Sequence, residues 1–214
     1  MKGHPAAIRE GMTSLLARED AFARLIADAG HPPPRKRPPG FATLLQIIIG
    51  QPVSTDAAAA IWARLQSAAD PVTPQVLLAL GEDGLRAVGF SRPKITYARD
   101  LARQILDGTV DLSRLKRMDD EDAVAMLVGI KGIGRWSAEI YLLFAHGRPD
   151  IWPADDLAIA GAYQHLRGLD QRPDGRALRP LGEAFRPWRS AAAILLWHLY
   201  RHRVRAGNAN VVPG

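Results

Sequence analysis

The 214 residues contain no cysteine. This excludes disulfides, thiolate nucleophiles, cysteine zinc sites and cysteine-ligated iron–sulfur clusters. No apolar run approaches membrane-spanning length and the N-terminus has no signal-peptide core, so a soluble, cytoplasmic protein with no membrane partner is expected. β-Branched residues fall inside helical periods instead of alternating, which leaves no convincing strand. A Gly-rich nucleotide loop followed by Lys-Ser/Thr is missing, as is a Gly-x-Ser-x-Gly elbow. His198 and His202 stand four apart on one helical stretch, a spacing zinc ligands can use. With no third candidate nearby in sequence, they read as packing or surface residues.

The charge that is present is unevenly placed. The formal net charge is +6, and from Gln171 onward eight arginines (172, 176, 179, 186, 189, 201, 203 and 205) face only Asp174 and Glu183, which accounts for all of it. A localised basic patch is the footprint of a polyanion binder, although solvated arginine-rich helix faces give the same composition. The length allows one sizeable core or two small lobes sharing an interface.

Helical spacing predicts an all-α protein of about ten short helices. One runs over residues 13–29 and stops at Gly30. The proline-rich segment 31–39, with basic Arg35–Arg37, reads as an extended connector. Phe41–Ile49 is apolar nearly all round and marks a buried helix. Ser54 or Thr55 caps the next helix, and Thr73-Pro74 opens another. Later helices are expected over 94–106, 157–166, 176–185 and 188–204, followed by a Gly/Asn/Pro-rich tail.

The stretch Leu127–Phe144 is organised differently. An acidic helix enters a turn at Gly129–Gly132, and an apolar helix leaves from Gly134. In Gly132-Ile133-Gly134, two glycines flank an isoleucine of buried type, so the backbone can take positive φ and bare its amides at a helix N-terminus. Such amides suit a phosphate diester. A tight helix–helix corner with glycines for packing alone is the other reading. Beyond it, Pro153-Ala154-Asp155-Asp156 opens a helix that both carboxylates cannot cap; Asp155 has the better cap position, leaving Asp156 in the first turn. The aromatics Trp136, Tyr141, Trp152, Trp188, Trp197 and Tyr200 suit either core packing or the walls of a site that stacks a planar or cationic base.

Hairpin, aromatic and Pro-x-Asp-Asp in this order resemble the helix–hairpin–helix DNA glycosylases, in particular their alkylated-base (3-methyladenine type II) branch. The resemblance runs from about Phe41 to Tyr200. It rests on Ile49-Gly-Gln-Pro-Val-Ser54, Gly89-Phe-Ser-x-x-Lys94, Gly129-Ile-Lys-Gly-Ile-Gly-Arg-Trp-Ser-Ala138, Trp152-Pro-Ala-Asp-Asp156 and Pro187-Trp-Arg-Ser190. It implies two helical lobes, one over about 41–146 with the hairpin at 127–144 and one from about 1–40 plus 147–214, with the active-site cleft between them. It also implies a compact form without the extra N-terminal β-containing domain of some relatives.

Residue by residue, the resemblance makes Asp156 the catalytic carboxylate and Asp155 the structural cap. Gly132, Ile133, Gly134 and Ser137 become the phosphate-binding hairpin, and Trp136, Trp197 and Tyr141 the base pocket. Gln51 and Pro52 stand where relatives fill the gap left by a flipped base, though many carry Gln-Gln or Gln-Leu there. The carbonyls of Val128, Ile130 and Gly132 match those that hold a monovalent cation in some relatives; no other cofactor is implied. Relatives that also cut the DNA backbone carry a lysine where Trp136 stands. The implied activity is therefore removal of alkylated purines from double-stranded DNA, by a monomer, without strand cleavage. A glycosylase for uracil, hypoxanthine or mismatched bases and a non-catalytic DNA-binding module are the competing functions.

Overall fold

The computed structural model describes residues 1–204 and is all-α, with no strand among the described residues. Arg205 and the Gly/Asn/Pro-rich tail lie outside the described residues, as does the side chain of Arg203. No helix among the described residues is long and apolar enough to cross a membrane.

The chain divides into two compact units, one of Arg37–Tyr141 and one of Met1–Lys36 joined by the chain from Leu142 onward. The breaks fall a few residues before the expected ones at 40/41 and 146/147. The later break moves because a π-helical turn, Leu142–His146, belongs with the second stretch.

The discontinuous unit begins with α1 (Ala6–Arg18) and α2 (Asp20–Ala29). The expected single helix over 13–29 is thus two, broken at Glu19, whose backbone is extended (φ −133°, ψ 93°). The apolar spacing continues across the break, so periodicity alone misses it. The Glu19 carboxylate pairs with Arg167 at 2.7 Å.

The continuous unit holds α3 (Phe41–Ile49), α4 (Thr55–Ala68), α5 (Pro74–Ala79), α6 (Gly81–Ala87), α7 (Arg92–Leu106), a 3-10 turn at Leu112–Arg117, α8 (Asp120–Val128) and α9 (Arg135–Tyr141). Leu44, Leu45, Ile48 and Ile49 are fully buried, making α3 the centre against which α4, α7 and α9 pack. Local chemistry sets the boundaries. Ser54 Oγ accepts from Ala57 N–H, and Thr73 Oγ1 accepts from Val76 N–H ahead of Pro74 at the first helical position. Asp120, Glu121 and Asp122 crowd the first turn of α8, where the helix dipole favours negative charge.

The chain then completes the discontinuous unit with α10 (Leu157–Arg167), α11 (Gly175–Leu181) and α12 (Arg189–Leu199). Helix α12 is its core: Ala191, Ala192 and Ala193 are buried, and the helix packs on α1, α2 and α10. His198 is buried on α12, with Nε2 2.9 Å from the Gly30 carbonyl and its ring edge-on to His202 at 4.4 Å. His198 is buried and His202 exposed, and no group of three metal-binding side chains is found among the described residues. The Pro-rich segment is extended but pinned: His4 Nε2 bonds the Pro32 carbonyl in one unit, and Thr43 Oγ1 bonds the Pro38 carbonyl in the other.

Candidate nucleic-acid and catalytic site

In the continuous unit, the hairpin joins α8 to α9. Gly132 has φ +88°, and a Cβ there would lie 2.5 Å from the Tyr97 ring, so both conformation and space demand glycine. Gly134 differs from the expectation: its φ is not positive, and a Cβ there would meet nothing within 4 Å. No contact within the fold requires glycine at this position. Between them Ile133 is buried as read, its N–H bonded to the Ile130 carbonyl at 3.0 Å.

The cation next to the hairpin is already engaged. Arg135 bonds Glu121 at 2.6 Å and the buried Glu139 at 2.9 Å. The Glu121 bond is the main influence holding the Arg135 pKa above its ordinary value. The charge of Arg135 is thus offset by carboxylates on both sides, while Lys131 in the turn is exposed.

Two assignments on this face are corrected. Gln51 turns inward instead of projecting as a filler: its Nε2 donates to the Gly132 carbonyl at 3.2 Å and to Ser137 Oγ at 2.7 Å. It is a strut between the turn after α3 and the hairpin, and Pro52 and Val53 remain exposed at the tip of that turn. Ser137 is buried with its hydroxyl accepting from Gln51, so only its backbone amide could meet a phosphate. Replacing Gln51 by alanine leaves both acceptors without this donor, and a loss of about 1–2 kcal/mol in urea unfolding is expected; an unchanged midpoint would show that the strut carries no weight.

Lys94, whose role the sequence left unassigned, supports the same turn from behind. It is buried, and its Nζ donates to the Ile49 carbonyl at 2.6 Å, at the end of α3. Burial lowers its pKa from the ordinary lysine value.

Of the aromatics on α9, Trp136 is 37% exposed whereas Tyr141 is 0% exposed. The Tyr141 hydroxyl accepts from Gly40 N–H at 2.8 Å. Tyr141 is therefore a core residue with no ring face to offer a base, contrary to the pocket role inferred for it.

In the discontinuous unit the Asp-Asp pair is also reassigned. Asp156, not Asp155, is the N-cap of α10: its Oδ1 accepts from Ala158 N–H and Ile159 N–H, both at 2.9 Å. The same oxygen accepts from the Trp197 indole Nε1–H at 3.1 Å. Asp155 instead pairs with Arg179 at 3.2 Å. The cap thus falls one residue later than expected, and a single carboxylate oxygen of Asp156 suffices for it. Asp156 is half-buried and lines an open depression of about 190 Å³ with Asp155, Leu157, Arg172, Asp174 and Gly175.

The segment leading to Asp156 is anchored from behind by the Pro187–Ser190 stretch. Ser190 Oγ accepts from Ile151 N–H at 2.9 Å and donates to the Arg148 carbonyl at 2.6 Å, while Arg189 chelates Asp150 at 2.8 and 2.9 Å. Trp152 is buried, its indole N–H on the Leu178 carbonyl. These contacts thin the expected basic patch: Arg179, Arg186 and Arg189 pair with Asp155, Asp150 and Glu183. Arg172, Arg176 and Arg201 remain exposed.

The structure thus gathers Gln51, Gly132 and Ser137 in one unit and Asp156 with Trp197 in the other. Trp136 and Trp197 belong to different units.

Comparison with known proteins gives a consistent result. The profile of the HhH-GPD superfamily base excision DNA repair proteins matches residues 45–187. The chain is 32% identical over 161 residues to DNA-3-methyladenine glycosylase 1 of Schizosaccharomyces pombe, covering 73% of this chain and 71% of that protein. It is 34% identical over 124 residues to a putative DNA-3-methyladenine glycosylase of Bacillus subtilis, of which it spans 43%. Among solved structures, a DNA-3-methyladenine glycosidase from Bacillus halodurans superposes with a TM-score of 0.79 at 27% identity, covering 91% of both chains. The S. pombe 3-methyladenine DNA glycosylase in complex with abasic DNA also gives 0.79, at 29% identity, over 88% of this chain and 95% of that one.

Proposed function

Because the chain belongs to the HhH-GPD superfamily of base excision DNA repair proteins, we propose that it is a monofunctional, monomeric glycosylase that hydrolyses the N-glycosidic bond of alkylated purines in duplex DNA. The observation that carries this reading is the Asp156 carboxylate, fixed through Oδ1 by three N–H donors at the edge of an open depression. The names of the relatives supply the substrate class.

In this mechanism the amides of Gly132 and of Gly134 to Ser137 hold a phosphate of the damaged strand, the Ile133 N–H being already bonded to the Ile130 carbonyl and Gly134 giving the backbone room to approach. The exposed Pro52, with Val53, takes the wedge role that Gln51 gives up, filling the gap left when a nucleotide is turned out of the stack. An N-alkylated purine is cationic and already a good leaving group, so no strong general acid is needed. Indole faces are electron-rich and favour a charged base over its neutral parent; Trp197, bonded to Asp156, has one in the discontinuous unit, and Trp136 is the exposed indole of the continuous unit. As the base departs, positive charge develops on the sugar. Asp156 stabilises it and orients or deprotonates the attacking water.

Trp136 offers no amine to attack the sugar, and Lys131 lies on the other side of the turn in sequence. Both features support a reading of hydrolysis without strand cleavage. The carbonyls of Val128, Ile130 and Gly132 also fit a monovalent cation. They follow one another from the C-terminal, negative end of α8, and each carbonyl has two lone pairs, so those of Ile130 and Gly132 can ligate while accepting from Ile133 N–H and Gln51. Such an ion would brace the turn and add positive charge beside the phosphate.

The test is free-base release, read by mass spectrometry, from methylated, uracil-containing, hypoxanthine-containing and undamaged duplexes. Release of 3-methyladenine or 7-methylguanine is expected. Release of a different base alone would reassign the substrate, and binding without release would make the chain a DNA-binding module.

A further inference from the structure

We propose that Trp197 acts as the positioning residue of Asp156, its indole N–H selecting the carboxylate rotamer in which the reaction occurs, beyond any part its ring has in stacking a base. The inference rests on the glycosylase reading only for the identity of the reaction; the contact itself stands on geometry.

Asp156 has to do two things at once. As N-cap it gives Oδ1 to Ala158 N–H and Ile159 N–H. Those two bonds fix where Oδ1 sits, but a cap still leaves the carboxylate plane able to twist about that oxygen. The Trp197 Nε1–H arrives at the same Oδ1 at 3.1 Å from a different element, α12. A third donor from an independent direction restricts the plane and so fixes where the second oxygen is carried.

The donor is itself held. The Trp197 ring lies on Phe144 with centroids 5.6 Å apart and planes 27° apart. Phe144 sits within the π-helical turn Leu142–His146 that continues α9, and such turns recur where a helix must re-aim a side chain at a functional site. With one face on Phe144 and its N–H edge on Asp156, Trp197 has at most one face left for a base. Stacking and positioning are therefore separable properties of one side chain: the first needs the ring, the second needs the N–H.

Benzothienylalanine at position 197 removes the N–H at nearly constant ring shape, and Trp197→Phe removes the N–H together with part of the ring; both are compared with wild type in single-turnover excision. Binding is measured on duplexes carrying a neutral tetrahydrofuran abasic analogue or a cationic pyrrolidine analogue. Excision is expected to fall about ten- to a hundredfold, the size associated with one hydrogen bond to a charged group. Affinity for the cationic analogue should fall by a similar factor, and affinity for the neutral one should stay at the wild-type level. A wild-type rate in both variants, or an equal loss of affinity for both analogues, would overturn the proposal in favour of packing or stacking alone. Independently of activity, Asp156→Ala should move the Trp197 indole ¹H–¹⁵N resonance. An unmoved resonance would contradict the contact even if the wild-type protein released no base, the outcome that would instead defeat the glycosylase reading.

Discussion

Replacing Asp156 by asparagine is expected to lower single-turnover excision by about 10²–10³-fold while leaving DNA affinity and folding stability near wild type. The structure makes this substitution unusually clean. Asparagine and aspartate are equally good N-caps, so the substituted side chain keeps an oxygen for Ala158 N–H, Ile159 N–H and the Trp197 indole. What it removes is the negative charge beside the developing cation. Alanine at the same position is a different experiment: it deletes the cap as well, at about 1 kcal/mol, and leaves the Trp197 N–H without this acceptor. Excision kinetics and thermal unfolding of the two variants therefore separate chemistry from structure. If Asp156→Asn excised at the wild-type rate, Asp156 would be a cap and nothing more.

The two hairpin glycines should respond in opposite ways. Gly132→Ala places a Cβ at φ +88° and into the Tyr97 ring, so a loss of stability at or above the roughly 1–3 kcal/mol typical of left-handed strain is expected. Its loss of DNA binding follows from damage to the turn. Gly134→Ala should leave stability near wild type, because nothing lies within 4 Å of the added methyl group. In the proposed complex the phosphate backbone occupies that space, so binding to duplex DNA should weaken about tenfold or more, the cost of displacing well-aligned charge-assisted hydrogen bonds. Denaturation and fluorescence-anisotropy titration read the two effects. Wild-type DNA affinity in Gly134→Ala would count against the hairpin as the phosphate grip, since Arg135 is already paired with Glu121 and Glu139.

Much of the helical architecture was legible because its signals are local. The apolar run of α3, the Ser54 and Thr73 caps and the proline-rich break each act within a few residues. The split at Glu19 was not legible, since the apolar spacing runs on through it. Site geometry depended on distant partners to a greater extent. The resemblance singles out Asp156 as the proposed catalytic carboxylate, but its duty as the cap of α10 was not legible, since Asp155 has the better cap position by sequence alone. The resemblance makes Tyr141 a pocket aromatic, yet its ring is buried and its hydroxyl accepts from Gly40 N–H, far away in sequence. Gln51 and Lys94 were inside recognisable motifs; their roles as strut and support depend on Ser137 and the Ile49 carbonyl, which only the folded chain brings to them. The basic C-terminal stretch was visible as composition, but nothing in composition says that Asp150, Asp155 and Glu183 take up three of its arginines.

The most direct test of the central claim is the mass of both products from a duplex carrying one 3-methyladenine. Hydrolysis assisted by Asp156 predicts one free alkylated base for every full-length strand bearing an intact abasic sugar, with no covalent protein–DNA adduct on borohydride treatment. A shortened strand or a trapped adduct, or no free base at all, would contradict it.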